Sequence, residues 1–421
     1  MIDPKIIREN PEKVKKNFVE RYGEKNVGIV DEWLKIDAER LLVQQEIDNL
    51  NRDKNQLADL GKDPTKIEEV RTKARELKEK VETQNAKLEN LTAKTTELIA
   101  QIPNFHFADV PVGKDDSENV TLREVGEKTK FDFEVKDHLT IGTKLGILDF
   151  ESGSKVSGSQ FYYLKGDGVR LEFALIQFAI DFFTQKGFEL VMTPDMAKSK
   201  YYLGTGYAPR GDEAQTYEIK DEDLGLIATA EVTMAGMHSD EVLDLKTPLK
   251  YAAVSHCFRK EAGAYGKYSK GLYRVHQFTK FEMFVYCKPE ESEKIHEELL
   301  ACEEEIATQL GIPYRVLFMC TGDLGGMAAK KYDLEAWLPG RNDYGEITST
   351  SNCTDYQARN LNIKFRNAEG KLDYAHMLNG TAVVMSRFPI AIIENYQQAD
   401  GTVKIPEVLR KYFGNREFIG K

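Results

Sequence analysis

Residues 251–286 read YAAVSHCFRKEAGAYGKYSKGLYRVHQFTKFEMFVY, in which two runs of alternating apolar residues flank a loop rich in Gly, Tyr, Ser and Lys. This alternation predicts two strands that form a β-hairpin with one buried face. Side chains at alternate positions then share the other face, first Arg259 and Glu261, then His276, Phe278, Lys280 and Glu282. Such a surface suits a ligand that carries phosphate and a flat ring, although a polar face that contacts only water remains the alternative.

Two later segments carry further candidate ligand-binding residues. Residues 378–389, LNGTAVVMSRFP, predict a strand that runs through small residues into a helix, with Arg387 at the junction. Small residues allow close approach of a ligand to the backbone, although Arg387 could instead extend into water. In the stretch 343–352, Glu346 precedes Ser349 by three residues, and their oxygens could share a magnesium ion bound to nucleotide phosphates.

Taken in order, six short motifs resemble those of the seryl-tRNA synthetases, a family of class II aminoacyl-tRNA synthetases. They are Thr229-Ala-Glu231, Phe258-Arg-Lys-Glu261, Arg274-Val-His-Gln-Phe278, Lys280-Phe-Glu282, Glu346-Ile-Thr-Ser349 and Asn379-Gly-Thr-Ala-Val-Val-Met-Ser-Arg387. The resemblance spans nearly the whole chain and implies an α+β fold. Its core is a mostly antiparallel sheet flanked by helices, with an N-terminal antiparallel helical-hairpin coiled-coil arm. The sequence contains no Gly-rich dinucleotide-binding turn, so a doubly wound parallel sheet is not expected.

The resemblance also implies a domain division and partners. Residues 1–103 would form a tRNA-binding arm, and 104–421 a catalytic domain in which 104–153 is an irregular connection. The amphipathic stretch 170–193, before Pro194, resembles the motif that builds a homodimer interface in the family. The implied activity is ligation of L-serine to tRNA(Ser) through a seryl-adenylate made from ATP. Whether tRNA(Sec) is also a substrate stays open.

Residue roles follow from the same resemblance. Arg259 and Arg387 are expected to be catalytic. The residues expected to bind serine are Thr229, Ala230, Glu231, Glu282 and Thr381. The residues expected to bind ATP are Arg259, Lys260, Glu261, Arg274, Val275, Phe278, Glu346, Ile347, Thr348, Ser349 and Arg387. Glu346 and Ser349 are expected to hold Mg²⁺ together with ATP. By local sequence alone, Thr229 and Glu231 fit equally a helix start with its capping residue.

The N-terminal quarter predicts two long helices. From Val70 to Ile102, mostly apolar residues recur at alternating steps of four and three, which is the spacing of a coiled-coil seam. Ile36, Val43 and Ile47 begin the same pattern in the preceding segment. A Gly-to-Pro connection at 61–64 between the two segments predicts an antiparallel hairpin whose second helix has roughly 37 residues and is about 55 Å long.

A line of lysines beside this seam has two interpretations. Lys66, Lys73, Lys80, Lys87 and Lys94 recur every seventh residue. They could contact RNA phosphates, but Glu39, Glu46 and Asp53 occupy the corresponding positions of the first helix, which favours ion pairs between the helices. Other cations of the arm are then freer to meet RNA, namely Arg52, Lys54, Arg71, Arg75 and Lys78.

Composition limits the alternatives. The net charge of −11 means that RNA binding requires a locally basic surface. The polar start predicts no signal peptide, and no apolar run predicts a membrane span, so a cytoplasmic protein is expected. The cysteines lack a CxxC pair, which predicts neither disulfides nor zinc; they are Cys257, Cys287, Cys302, Cys320 and Cys353. An amino-acid ligase for a carrier protein and a structural coiled-coil protein remain as alternative functions.

Overall fold

The structure, a computed structural model, describes residues 1–60, 67–207, 216–261 and 270–420. The chain divides into two compact units, Met1–Pro103 and Asn104–Lys421. The helices of the first unit are α1 (Pro4–Glu9), α2 (Pro11–Tyr22), α3 (Ile29–Leu60) and α4 (Ile67–Ala100). The side chains of Asp3 and Asn10 accept hydrogen bonds from backbone N–H groups in the first turns of α1 and α2, each of which has proline at its first position.

Helices α3 and α4 form the antiparallel hairpin that the sequence predicts. The indole nitrogen of Trp33, near the start of α3, donates to the carbonyl of Thr95, near the end of α4, at 3.0 Å. Val43, Ile47 and Leu91 form a buried cluster between the helices. With 34 residues, α4 is about 50 Å long at 1.5 Å per residue. The predicted turn at 61–64 lies outside the described residues.

The structure tests the two interpretations of the line of lysines at one position. The ammonium of Lys87 lies 2.7 Å from a carboxylate oxygen of Glu39 across the hairpin. This ion pair lowers the pKa of Glu39, chiefly through the hydrogen bond from Lys87 and then through its charge. Lys66 lies outside the described residues. The predicted pairing between the helices therefore occurs at Lys87, where it helps to select the antiparallel register.

The second unit is built on a large sheet whose described strands are almost all antiparallel. The strands of the whole unit, in this sheet and in smaller ones, are β1 (Val120–Val125), β2 (Leu148–Asp149), β3 (Tyr163–Leu164), β4 (Glu189–Met192), β5 (Met196–Ala197), β6 (Tyr217–Glu218), β7 (Gly225–Leu226), β8 (Val242–Leu243), β9 (Leu249–Phe258), β10 (Gln277–Cys287), β11 (Tyr314–Phe318), β12 (Lys330–Leu338), β13 (Asp343–Asn352), β14 (Lys364–Arg366), β15 (Leu372–Tyr374), β16 (His376–Val384), β17 (Val403–Lys404) and β18 (Phe418–Ile419). In the described part of the chain the main sheet has the order β1-β11-β12-β13-β16-β10-β9-β4, and only β4 and β9 pair in parallel.

Helices pack against both faces of this sheet. The helices of the unit are α5 (His138–Lys144), α6 (Phe150–Ser157), α7 (Asp167–Gln185), α8 (Ser199–Thr205), α9 (Glu231–Gly236), α10 (Ser292–Gln309), α11 (Tyr356–Leu361), α12 (Phe388–Asn395) and α13 (Glu407–Arg410). The main hydrophobic core contains Leu175 of α7, Leu299 of α10 and Ile392 of α12, together with Phe281 and Val285 of β10. Because side chains alternate along β10, Phe278, Lys280 and Glu282 are left for the opposite face. The predicted α+β fold class is confirmed.

Two expectations about this unit need correction. Residues 104–153, expected to be an irregular connection with a short helix or two, contain the short helix α5 but also supply edge strand β1 to the main sheet. The hairpin of β9 and β10 is present, with Phe258 opposite Gln277. However, β9 ends before Arg259, so Arg259 and Glu261 lie beyond the strand rather than on one of its faces. Gly263 and Gly266 lie outside the described residues.

Candidate active site

A polar cleft lies on the face of the main sheet opposite the α7–α10–α12 layer and encloses about 670 Å³ of empty space, including its open mouth. Most of the residues predicted to bind ligand contribute to its lining, through the side chain or the backbone. These are Glu231, Arg259, Glu261, Arg274, Val275, Phe278, Glu282, Glu346, Ile347, Thr348, Ser349, Thr381 and Arg387. Residues separated by more than 150 positions in the chain are thus brought to one hollow.

Two irregularities in strand pairing affect the β13 and β16 residues of this lining. Opposite β12, Glu346 pairs with Glu335 and Thr348 with Leu334, so Ile347 is an extra residue in β13. Opposite β10, Thr381 pairs with Glu282 and Val383 with Phe281, so Ala382 is an extra residue in β16. A bulge shifts the alternation of faces by one residue. It thereby allows Glu346 and Ser349, three residues apart, both to line the cleft.

One end of the cleft contains a buried ionic group. The ammonium of Lys280 lies 2.7 Å from Glu282 Oε2 and donates to Thr229 Oγ1 at 2.6 Å. The Thr229 hydroxyl in turn donates to Glu282 at 2.5 Å. Lys280 and Glu282 are almost fully buried, and each neutralises the charge of the other, which would otherwise be costly to bury. Thr229 and Ala230 do not line the cleft; Thr229 supports Glu282 from behind, and Ala230 precedes α9.

Glu231 lies at the same end, inside a frame of hydrogen-bond donors. Its Oε1 accepts from Gln357 at 2.7 Å and from Asn379 at 2.8 Å, and its Oε2 accepts from the Tyr207 hydroxyl at 3.1 Å. Burial, and next the nearby charge of Glu282, raise the pKa of Glu231 to about 7. The result is a fixed carboxyl group that gains or loses its charge near neutral pH.

Guanidinium groups dominate the middle of the cleft. Arg259 Nε donates to the carbonyl of Ala228 at 3.2 Å, and its guanidinium carbon lies 5.2 Å from the centroid of the Phe278 ring. Arg274 Nη1 donates to Glu261 Oε2 at 2.7 Å. Glu261 has a positive φ of 50°, a left-handed conformation that is uncommon for a residue with a side chain. Contacts within the protein therefore hold two positive charges and one aromatic ring in place.

Lys260 does not join this group. Its side chain is exposed and its ammonium lies 5.9 Å from the centroid of the Tyr217 ring, outside the cleft lining. Arg259 is held towards the cleft by the carbonyl of Ala228 and the Phe278 ring, whereas Lys260 lies near Tyr217, which is not part of the lining.

The other end of the cleft combines a carboxylate with a third guanidinium. Desolvation raises the pKa of Glu346, but the positive charges of Arg387, Lys331, Arg259 and Arg274 outweigh it and hold this pKa below its usual value. Arg387 Nη1 donates to the backbone carbonyl of Glu346 at 2.7 Å. Its guanidinium carbon lies only 3.7 Å from the centroid of the Tyr273 ring.

These contacts bear on the expected magnesium ion. An ionised carboxylate and a neighbouring hydroxyl are hard oxygen ligands of the kind that Mg²⁺ prefers, and Mg²⁺ typically takes its remaining ligands from substrate phosphates and water. Glu346 and Ser349 both line the cleft, and Glu346 is kept anionic, so the pair fits this role. Among the described residues, no cluster of three or more His, Cys, Asp or Glu side chains could bind a metal by itself.

Several lining residues were given no role by the sequence analysis. They are Tyr207, Tyr273, Lys280, Asn379, Val384 and Ser386. Lys280, Asn379 and Ser386 lie within or beside recognised motifs, so the alternation of the strand or the junction sequence could have found them. Tyr207 and Tyr273 carry no local signal of this kind, because they reach the cleft only through tertiary packing.

Family models match both units of the chain. Residues 1–106 match the model described as the seryl-tRNA synthetase N-terminal domain, and residues 216–396 match the class II tRNA synthetase core domain shared by the G, H, P, S and T enzymes. The chain is 52% identical to the serine–tRNA ligase of Dictyoglomus thermophilum over 420 residues, covering 99% of each chain. It is 48% identical to that of Treponema denticola over 420 residues, covering 98% of this chain and 99% of the relative.

Solved structures give the same result. Seryl-tRNA synthetase from Pyrococcus horikoshii, complexed with ATP, superposes with a TM-score of 0.90 at 43% identity over 100% of this chain and 99% of the other. The cytoplasmic serine–tRNA ligase of Naegleria fowleri, in complex with AMP, has a TM-score of 0.85 at 33% identity, covering 100% and 98%. The likeness therefore extends over the full length of both units.

Proposed function

Because the chain belongs to the seryl-tRNA synthetase family, we propose that its cleft activates L-serine with ATP to form seryl-adenylate and then transfers the seryl group to the 3′ end of tRNA(Ser). The chain is a class II aminoacyl-tRNA synthetase, a ligase that joins serine to tRNA. The observation that carries the two-step proposal is the division of the cleft. Carboxylates of Glu231 and Glu282 lie at one end, the guanidinium groups of Arg259 and Arg274 lie in the middle, and that of Arg387 lies at the other end.

The serine end suits a small hydroxylated amino acid. The α-ammonium of serine pairs with the carboxylates of Glu231 and Glu282, one of which also accepts from the substrate hydroxyl. Thr381 closes the far wall, and Thr229 and Ala230 act indirectly by supporting Glu282 and the start of α9. A site with buried polar groups rejects alanine because those groups would lose their partner, and the bulk of Thr381 opposes threonine.

The nucleotide end suits ATP. Arg259 binds the α-phosphate and the serine carboxylate, and Arg274 binds the outer phosphates. The adenine ring stacks between Phe278 and Arg387, with its amino group on Glu261 and its edge on the backbone of Val275. Ile347 and Thr348 line the same wall. Mg²⁺ held with ATP by Glu346 and Ser349 would neutralise phosphate charge.

The chemistry requires no protein nucleophile. The serine carboxylate attacks the α-phosphorus and pyrophosphate leaves; a terminal ribose hydroxyl of tRNA then attacks the seryl carbonyl and AMP leaves. Catalysis consists of placing the carboxylate beside the α-phosphorus and stabilising negative charge on phosphate oxygens, which the fixed Arg259 guanidinium can do in both respects.

The other partners are also proposals. Residues 1–103 form the tRNA-binding arm and 104–421 the catalytic domain. A homodimer is supported by Phe173 of α7 and Met192 of edge strand β4, whose large apolar side chains are exposed in the single chain. In the described ranges, no helix combines the length and apolar composition needed to cross a membrane. We place the enzyme in the cytoplasm, with tRNA(Sec) as a second substrate to test.

The proposal is tested by serine-dependent exchange of pyrophosphate into ATP, followed by charging of purified tRNA(Ser) with serine, threonine, alanine or glycine. Exchange and charging with serine alone support it. Exchange without charging would instead indicate an amino-acid ligase acting on another carrier, and the absence of ATP binding would indicate a structural protein.

The pKa of Glu231 predicts how serine use depends on pH. Below about pH 7 this carboxyl group is protonated and cannot pair with the serine ammonium. The KM for serine should therefore fall about tenfold per pH unit as pH rises toward 7, and level off above it. Exchange assays between pH 6 and 8 measure this. In Glu231→Gln the KM should be high and independent of pH; a wild-type profile in this variant would contradict the assignment.

Replacing exposed cations of the arm should weaken the charging of tRNA without affecting the activation of serine. Arg71, Arg75 and Lys78 are highly exposed and lie 3.5–3.9 Å from glutamates of their own helix, so replacing all three by glutamine should change stability little. Charging should weaken about tenfold, while serine-dependent exchange stays unchanged. The slope of log affinity for tRNA against log salt should decrease by roughly 2.

A matched control uses exposed cations of the other unit, namely Lys246, Arg366 and Lys371. Replacing these three by glutamine removes the same charge from a surface with no assigned RNA contact. Equal loss of tRNA affinity in both triple variants would mean that the arm cations act only through net charge.

A further inference from the structure

A short 3₁₀ turn, Gly271–Tyr273, forms part of the nucleotide end of the cleft. Tyr273 lines the cleft and lies beneath Arg387, whose guanidinium carbon is 3.7 Å from the centroid of its ring. This distance is characteristic of a flat stack between a guanidinium and an aromatic face. One face of the Arg387 guanidinium therefore rests on Tyr273.

A second contact holds Arg387 in this stack. Its Nη1 donates to the backbone carbonyl of Glu346 at 2.7 Å. An unrestrained arginine side chain samples many rotamers, and a ligand that needs one of them must first select it. The carbonyl and the Tyr273 ring together leave Arg387 with little freedom before any base arrives.

The turn itself rests on a buried histidine. His138 Nε2 accepts from the backbone N–H of Leu272 at 3.2 Å, and His138 Nδ1 donates to Glu394 at 2.8 Å. Glu394 accepts additionally from the backbone N–H groups of His138 and Gly340, at 3.0 and 2.9 Å. Both side chains are fully buried. The carboxylate thus fixes the tautomer that leaves Nε2 free to accept from the turn.

The backbone at Gly271 shows how closely the turn is fitted to this histidine. Gly271 has a φ of +58°, and a Cβ atom at this position would lie 2.3 Å from His138 Nε2. Only glycine combines this conformation with this approach. The position of the turn, and with it that of Tyr273, is therefore set by the imidazole of His138.

We infer that Tyr273 and His138 are positioning residues for nucleotide binding: the His138–Glu394 pair fixes the turn, and Tyr273 holds the Arg387 guanidinium flat so that its other face can receive the purine ring. This inference rests on the proposed function, which places adenine against Arg387. Preorganisation of this kind strengthens binding of the base without contributing to phosphate or serine recognition.

Replacement of Tyr273 tests the ring. In Tyr273→Leu the aromatic platform is lost, and the KM for ATP should rise roughly 3- to 30-fold, the range expected for a lost cation–π contact. The KM for serine should stay within about twofold of wild type by the same reasoning, because serine binds at the other end. Tyr273→Phe keeps the ring and should behave as wild type. Affinity for adenosine should fall in parallel in Tyr273→Leu, whereas affinity for pyrophosphate should not.

Replacement of His138 tests the support. Asparagine can place its amide nitrogen near the position of Nδ1, and glutamine can place its amide oxygen near that of Nε2. His138→Asn therefore keeps the contact with Glu394 and loses the one with Leu272, while His138→Gln does the reverse. Thermal unfolding should show both variants folded and less stable than wild type. Only His138→Asn should raise the KM for ATP and weaken adenosine binding.

Two results would overturn the inference: an unchanged KM for ATP in folded Tyr273→Leu, or equal KM values for ATP in the two His138 variants. Neither can be confused with failure of the proposed function, which would show as absence of serine-dependent exchange in the wild-type enzyme. Adenosine binding by wild type and Tyr273→Leu reports on the stack in either case.

Discussion

Replacing Arg259 with alanine is expected to reduce the kcat/KM of serine-dependent pyrophosphate exchange by about 10³-fold, the scale typical of removing a guanidinium that stabilises phosphoryl-transfer charge. Arg259 already has a fixed position, because its Nε donates to the carbonyl of Ala228. Its loss therefore removes a charge that needs no rearrangement to act. Steady-state exchange kinetics, with titration of ATP and serine separately, measure the effect.

The control for this prediction is Arg123→Ala. Arg123 forms a close ion pair with Glu304, but it lies on β1 and does not line the cleft. This variant should keep wild-type exchange. If Arg259→Ala remained within about tenfold of wild type while folded, the proposed role in stabilising the reaction would be wrong.

Replacing Glu282 with glutamine is expected to affect stability and serine use together. The change leaves the Lys280 ammonium buried without its counter-charge, which should lower the free energy of unfolding by about 3 kcal/mol. It also removes a partner of the serine ammonium, so the KM for serine should rise about 100-fold while the KM for ATP changes little. Denaturant unfolding and exchange kinetics measure the two effects.

A double variant separates folding from substrate binding. Adding Lys280→Met to Glu282→Gln removes both buried charges, so much of the lost stability should return. The KM for serine should nevertheless stay high, because the carboxylate is still missing. Recovery of serine binding together with stability would show that Glu282 acts only on the fold.

Much of the site could be predicted from the sequence because its chemistry is carried by short segments. The alternation of β10 placed Phe278, Lys280 and Glu282 on one face, and the junction after β16 placed Arg387 at a helix start. The seam of the arm was likewise set by spacing, since residues three and four apart lie on one side of a helix. Local periodicity suffices in these cases.

The spacing of residues along the chain could not predict which strands pair with each other. The bulges at Ile347 and Ala382 exist only relative to β12 and β10, and the one at Ile347 allows Glu346 and Ser349 both to line the cleft. The placement of edge strand β1 within the sheet escaped prediction for the same reason, whereas Lys260 escaped it because it follows the end of β9, where strand alternation no longer applies.

The sequence by itself determined the fold class, the helical hairpin and the chemical types present at the site, because periodicity and motif order are properties of neighbouring residues. Only the tertiary structure decided that Tyr207 frames Glu231, that Tyr273 carries Arg387 and that His138 supports the turn. These contacts join residues from different parts of the chain, and their geometry depends on how strands and helices pack rather than on any local pattern.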